Sequence, residues 1–377
     1  MGIKTQERNV YNRHGNLILS KPRGMYADYP VPQFSIHRGD FQMLLLSAVK
    51  ERLGEPTIHL NHTLTSFDQN DGSITARFSQ RTDGAPAELS SVTGDILIAA
   101  DGINSTARAL LYPNEGPPRY SGKMLWRSCT KGDTFLTGAS MLWAGHADQK
   151  FIAYPISQRS AAQGKSLVDW IAELRIWDQS DEDLIPPKND WTKAAKKEDF
   201  AELFATWRCG GLEVADLINN TETVYEFPVS DRGPAEWWSF GRLTLLGDAA
   251  HATYPTGSNG ASHAIIDADT LAGCLTCSLF SIQHILKTWE AERRTDKAKM
   301  VRANQAHGPD YVLQRAEERA PDGFENVHDV IPREELDKIA VIYESIARHD
   351  LEGVNWKVSV TAGKVWELDL KSPADWV

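Results

Sequence analysis

The stretch LTLLGDAAHATYPTGSNGAS, residues 243 to 262, restricts the fold more than any other part of the chain. A short continuous apolar run marks a strand covered on both faces. It ends in Gly247-Asp248, and a loop holding Pro255, Gly257 and Gly260 leads into a helix from about Ala261. Such a corner, beyond the carboxyl end of a buried strand, suits a planar ligand. Asp248 could accept hydrogen bonds from hydroxyl groups, the glycines allow close backbone approach, and the helix start offers free N–H groups. A plain strand-to-helix turn explains the same residues equally well.

The remaining segments predict a layered α/β protein. GDILIAADGINS is a second buried strand, ending in Asp101-Gly102. NVYNRHGNLILSKP reads as a hairpin turning at His14-Gly15-Asn16, and the strands flanking Asn70-Asp71-Gly72 as another. HRGDFQMLLLSAVKERLG reads as a helix with Asp40 as N-cap, Gly54 as its end, and Met43, Leu44, Leu46, Ala48 and Val49 on its buried side. From about residue 123, tryptophan-rich strands (SMLWAGHADQKFIAYPIS, SLVDWIAELRIW, ETVYEFPVS) predict an antiparallel sheet. A polar connector, 178–197, and a helix, EDFAELFATW, interrupt it. The predicted division is 1–122, a partial cofactor layer; 123–232, an inserted and mainly antiparallel sheet; 233–306, a return to the first layer; and 307–377, a helical extension.

Composition narrows the function. A net charge of −11 opposes nucleic-acid binding, which needs a basic face. No apolar run approaches the length of a bilayer span, and the N-terminal residues lack a signal-peptide core, so a cytoplasmic protein is expected. Four cysteines make no disulfide scaffold. Cys274 and Cys277 form a Cys-x-x-Cys on helical spacing with no second ligand pair, so no metal site is expected. Beside the two aspartate corners, Arg108 in AADGINSTAR could fix Asp101 or a phosphate, with Ser105 as a helix cap. Arg38 and Gln42, four residues apart, could approach one ligand or simply begin a surface helix.

Taken in order, SIHRGDF, ADGINSTAR and LLGDAAHATYPTGSNGAS resemble the class A FAD-dependent aromatic hydroxylases, nearest the phenazine-modifying and salicylate-hydroxylase-like branch. The resemblance extends over most of residues 15 to 305. It implies a Rossmann-like FAD/NAD(P)-binding layer carrying an inserted substrate sheet. It also implies non-covalent FAD, reduction by NADH or NADPH, and transfer of one oxygen atom from O2 to an aromatic ring through a flavin hydroperoxide. By motif, Gly247 and Asp248 meet the ribityl or pyrophosphate region, and Gly257, Asn259 and Gly260 line the flavin ring. Arg38 faces the flavin side chain, with Gln42 able to approach the same ligand, while Asp101, Gly102 and Arg108 serve the FAD and nicotinamide region. Tyr154 and Pro255 are placed nearest the aromatic substrate, with Trp126, Trp143 and Trp170 in the sheet above it, most of these tryptophans serving as core.

One element of that pattern is missing. The family binds the ADP half of FAD with Gly-x-Gly-x-x-Gly between a strand and a helix. These 377 residues contain no such fingerprint. The expected consequences are weaker FAD binding and a parallel sheet with an open edge and exposed apolar faces. The chain is then either a truncated member of an enzyme family or an inactive relative that binds a small aromatic compound or a protein partner. The oligomeric state is not predicted.

Overall fold

The computed structural model describes residues 1–82, 85–177, 192–276, 280–306 and 310–346, the last seven as backbone only. Cys277 and most of the 178–197 connector lie outside the described residues, as does the chain beyond 346.

An eight-stranded sheet forms the larger layer. Its order is Ala194–Ala195, Val224–Asp231, Arg119–Gly132, Ser166–Arg175, Gln149–Pro155, Ser140–Gly145, Glu7–Tyr11, Leu17–Pro22. All neighbours are antiparallel except the parallel pair Ser140–Gly145 and Glu7–Tyr11. Strands Glu7–Tyr11 and Leu17–Pro22 form the expected hairpin. They extend this sheet, however, and do not belong to the cofactor layer that the sequence assigned to residues 1–122.

Strand alternation sorts the sheet into two faces. One is a closed core: Trp126, Leu142, Ala144, Phe151, Val168, Trp170 and Ala172 pack on Phe200, Phe204, Trp207 and Ile218. Trp126 stacks on Phe200 with centroids 5.0 Å apart, and Trp170 donates its indole N–H to Thr130 at 2.9 Å. Trp126 and Trp170 are therefore core residues, and only Trp143 of the three tryptophans lies on the opposite face. The predicted helix EDFAELFATW is instead two short 3-10 turns, Lys197–Asp199 and Ala201–Phe204, which tuck Phe200 and Phe204 into this core.

The cofactor layer is thinner. Leu97–Ala99 runs parallel to Leu243–Leu245, which pairs on its other side with Ser239–Phe240. Helices Gly260–Leu275 and Ile282–Gln305 and the Asn70 hairpin cover it, burying Ile74, Trp238, Leu271, Leu286 and Trp289. Among the described residues, Leu97–Ala99 has no partner on its outer edge, and Ile98 is 43% exposed. Helix Arg38–Leu53 ends at Gly54 as predicted, but His37 caps it, accepting from the backbone N–H of Asp40. None of its residues is buried; Met43, Leu44, Leu45, Val49 and Leu53 all face solvent. Among the described residues, no surface buries the predicted side. Helices Tyr311–Arg319 and Arg333–Ile346 close a small third core with Val10 and Ile18.

Candidate active site

Asp101-Gly102 and Gly247-Asp248 leave the carboxyl ends of two adjacent strands. Leu245 is in register with Ala99, and the next amide, Leu246 N–H, donates to Ala99 O at 2.9 Å. Gly247 has φ of +61°, and a Cβ there would also meet Ala264 Cβ at 3.3 Å, so the corner requires glycine. Asp248 is exposed. Asp101 accepts one backbone bond, from Ala107 at 3.3 Å, and Ser105 caps the following helix at Arg108. A Cβ added at Gly102 or Gly260 would enter open space. Helix Gly260–Leu275 begins after Asn259 with no side-chain cap, leaving first-turn N–H groups to what lies in front.

This set fits the flavin and sugar half of FAD: two carboxylates for hydroxyls, glycines at the strand ends and an uncapped helix start. The diphosphate half lacks its glycine fingerprint in this sequence.

Arg108 departs from expectation. It is 1% exposed, and all five of its N–H donors are engaged, two by Ala249 O and Ala250 O, one by Gly233 O and two by the Glu115 carboxylate. No donor remains for a phosphate or a nicotinamide. Arg108 is a clamp that ties the helix after Asp101 to the helix after Gly247. The partner acid is Glu115, not Asp101.

Behind the corner, His251 Nε2 is hydrogen-bonded to Asp267 at 2.5 Å, and Arg293 donates to the other Asp267 oxygen at 2.8 Å. Burial works to raise the Asp267 pKa, but the His251 hydrogen bond and the two neighbouring charges outweigh it and hold the carboxyl below its usual range. His251 is thus anchored in the turn, with its ring against Trp238.

The open face of the large sheet carries the other polar groups. Cys129, Asp169 and Tyr154 form one cross-strand row, and Arg127, Ile171 and Ile152 the next. Arg127 grips Asp169 with two N–H groups and reaches Tyr154 Oη at 3.5 Å. Burial opposes the Arg127 charge, but Asp169 overcomes this and keeps Arg127 cationic. Burial, reinforced by Asp169, raises the Tyr154 pKa, so its phenol stays protonated; burial pushes the Cys129 thiol up to about 11. Charges at the start of helix Arg38–Leu53 are felt in this row: Arg38 works to lower the Tyr154 pKa and Asp40 to raise that of Cys129. Gln42 lies exposed one turn on.

Pro255 lies elsewhere. It borders a cavity of about 90 Å³ with Tyr254, Lys123, Glu173, Arg175, Gln305 and Asp310, and Tyr154 is not in its lining. This cavity therefore does not bring together the two residues expected nearest a substrate. Gly257 is buried in the 3-10 turn Pro255–Gly257, ahead of Asn259. The sequence reading missed Arg127, Asp169, Lys123 and Glu173. Their signal is charged residues at alternate positions in otherwise apolar strands, all on one face. Asp310 has no comparable signal. Among the described residues no group of three or more His, Cys, Asp or Glu could hold a metal ion, and no helix is long and apolar enough to cross a membrane.

Fold and corner together define a flavoprotein of the two-layer hydroxylase type. Residues 38–304 match the family described as FAD binding domain. The chain is 36% identical over 304 residues to phenazine 1,6-dicarboxylic acid hydroxylase PhzS of Lysobacter antibioticus, covering 80% of this chain and 73% of that protein. It is 30% identical over 277 residues to 6-hydroxynicotinate 3-monooxygenase of Pseudomonas fluorescens, covering 70% of this chain and 64% of that one. A salicylate hydroxylase substrate complex superposes with a TM-score of 0.64 at 21% identity, covering 92% of this chain and 81% of the other. Klebsiella pneumoniae HpxO complexed with FAD and uric acid gives 0.62 at 18%, over 96% and 81%. The protein belongs to the FAD-binding-domain family, among the FAD-dependent aromatic hydroxylases.

Proposed function

We propose that this chain hydroxylates a small aromatic compound on the open face of its eight-stranded sheet, using O2 and NADH or NADPH. FAD supplies the redox and oxygen chemistry when bound. Asp248 and Asp101 would accept hydrogen bonds from its hydroxyls, and the uncapped start of helix Gly260–Leu275 would supply N–H groups to its ring. Gly257 and Asn259 would supply backbone to the same group, and Arg38 and Gln42 polar side chains.

Tyr154 carries this reading. It stays protonated, and its oxygen faces an Arg127 N–H, so its own proton is left to donate to a substrate oxygen. The bidentate Arg127–Asp169 pair fixes that orientation. Ile152 and Ile171 in the adjacent row supply apolar contact for a ring. The relatives that support the reading are named as hydroxylases and monooxygenases, and none supports a purely ligand-binding role. A cytoplasmic location suits a chain that uses NAD(P)H.

The test is NAD(P)H oxidation by FAD-supplemented protein, scanned over phenolic and heteroaromatic acids, with the product identified by mass. The expected result is oxidation that depends on the aromatic compound and yields a product heavier by one oxygen. Tyr154→Phe should raise KM about three- to tenfold, the worth of one hydrogen bond. Flavin-loaded protein that hydroxylates no aromatic compound, or a Tyr154→Phe enzyme with unchanged KM, would overturn this assignment.

A further inference from the structure

The cavity beside Pro255 contains a group that the hydroxylase reading leaves without a role. Lys150 is fully buried and donates to Asp310 at 2.5 Å, and it lies 3.4 Å from Glu173. Lys123 pairs with the same Glu173 oxygen at 2.9 Å. Asp310 is 1% exposed and lines the cavity, yet its Oδ1 has no hydrogen-bond partner. An orphaned buried carboxylate oxygen is costly unless something donates to it. The cavity has room for about three waters at roughly 30 Å³ each. Lys123, Tyr254 and Gln305 supply the further polar partners that such waters need.

We propose that this cavity holds exchangeable water and that Asp310, through its free Oδ1, holds and passes a proton between solvent and the Pro255 loop. The inference rests on the hydroxylase reading for its purpose. Converting an aromatic C–H to C–OH with O2 and NAD(P)H consumes one proton and releases water and NAD(P)+. That proton must reach a site walled by the sheet. Burial pushes the Asp310 pKa up, against the pull of Lys150, while the two lysines overcome burial and hold Glu173 down. Asp310 is thus the carboxyl of the cluster that burial makes readier to hold a proton than an ordinary aspartate. The groups facing it are Lys150, Glu173, Arg175 and Lys123 from the sheet and Tyr254 from the loop, whose phenol burial raises to about 12.

Infrared difference spectra of the full chain, taken across neutral pH in H2O and D2O, test the carboxyl directly and need no flavin. The expected result is one carboxyl that titrates well above ordinary aspartate, exchanges with D2O, and is absent from Asp310→Asn. If that variant does not fold, Glu173→Gln serves, because removing a neighbouring negative charge should move the same titration to lower pH. Absence of such a carboxyl, or one that fails to exchange, would overturn the proposal. In FAD-supplemented enzyme, Asp310→Asn should lower kcat on the order of tenfold or more at unchanged KM, with activity restored by added formate. An unaltered kcat and pH profile, or a loss that formate does not relieve, would contradict it. Failure of wild type to hydroxylate at all counts against the hydroxylase reading, whereas the infrared result decides the exchanging carboxyl by itself.

Discussion

Two helices of 16 residues meet opposite fates in this protein. Gly260–Leu275 buries His263, Asp267 and Leu271 against the parallel strands and helix Ile282–Gln305. Arg38–Leu53 holds nearly as many apolar side chains and buries none, leaving Met43, Leu44, Leu45, Val49 and Leu53 in solvent. The difference lies not in the helices but in the surfaces offered to them. Strand Leu243–Leu245 has neighbours on both sides; Leu97–Ala99 ends its sheet on an open edge. Apolar spacing in a sequence declares a face that is fit for burial, and a second surface must receive it. The well-received half holds the Gly247-Asp248 corner, and the exposed half holds Arg38 and Gln42.

The contrast can be broken by substitution. Arg108→Met should have the largest effect, about 3–5 kcal/mol lost in urea unfolding, because it leaves three carbonyls without their donor and the half-buried Glu115 carboxylate with only Arg232. A loss below about 1 kcal/mol would mean that Arg108 does not join the corners. Leu142→Ala, in the closed core of the large sheet, should cost about 2–5 kcal/mol, whereas Leu44→Ala should cost no more than about 0.5 kcal/mol. Equal costs would show that helix Arg38–Leu53 is packed after all.

Acid sensitivity gives a smaller signal. The folded pKa of Asp267 lies below its ordinary value of 3.8, so its stabilisation is complete above 3.8 and is lost as pH falls through the lowered value. Wild type should therefore lose stability over that interval more steeply than Asp267→Asn, and parallel curves would remove the buried network from the account. Smallest of all, Leu45→Lys should leave stability within about 0.5 kcal/mol while reducing binding of a hydrophobic dye. Undiminished dye binding would place the exposed apolar surface elsewhere.

Much of this was legible in the residues. The Gly247 and Asp101 corners, the Asn70 hairpin and the alternating strands carry their own signals, because turn glycines, Asx turns and two-residue periodicity are local. The open edge at Leu97–Ala99 also followed from the missing glycine fingerprint. What local pattern could not supply was partnership. Arg108 looks like a ligand-binding arginine until its five acceptors are seen, and four of those bonds come from residues 115, 233 and 249. The apolar turns of EDFAELFATW have helical spacing but bend to fill a core set by the sheet. Asp310 is an ordinary surface-type residue in sequence, yet in the fold it is buried and paired with Lys150.

The central claim is that Gly247-Asp248 holds the flavin end of FAD. Titrating the full chain with FAD and following flavin fluorescence tests it most directly. The account predicts saturable binding by wild type that Asp248→Ala weakens at least tenfold, with both proteins equally folded. No binding by wild type, or the same affinity in both proteins, would contradict it.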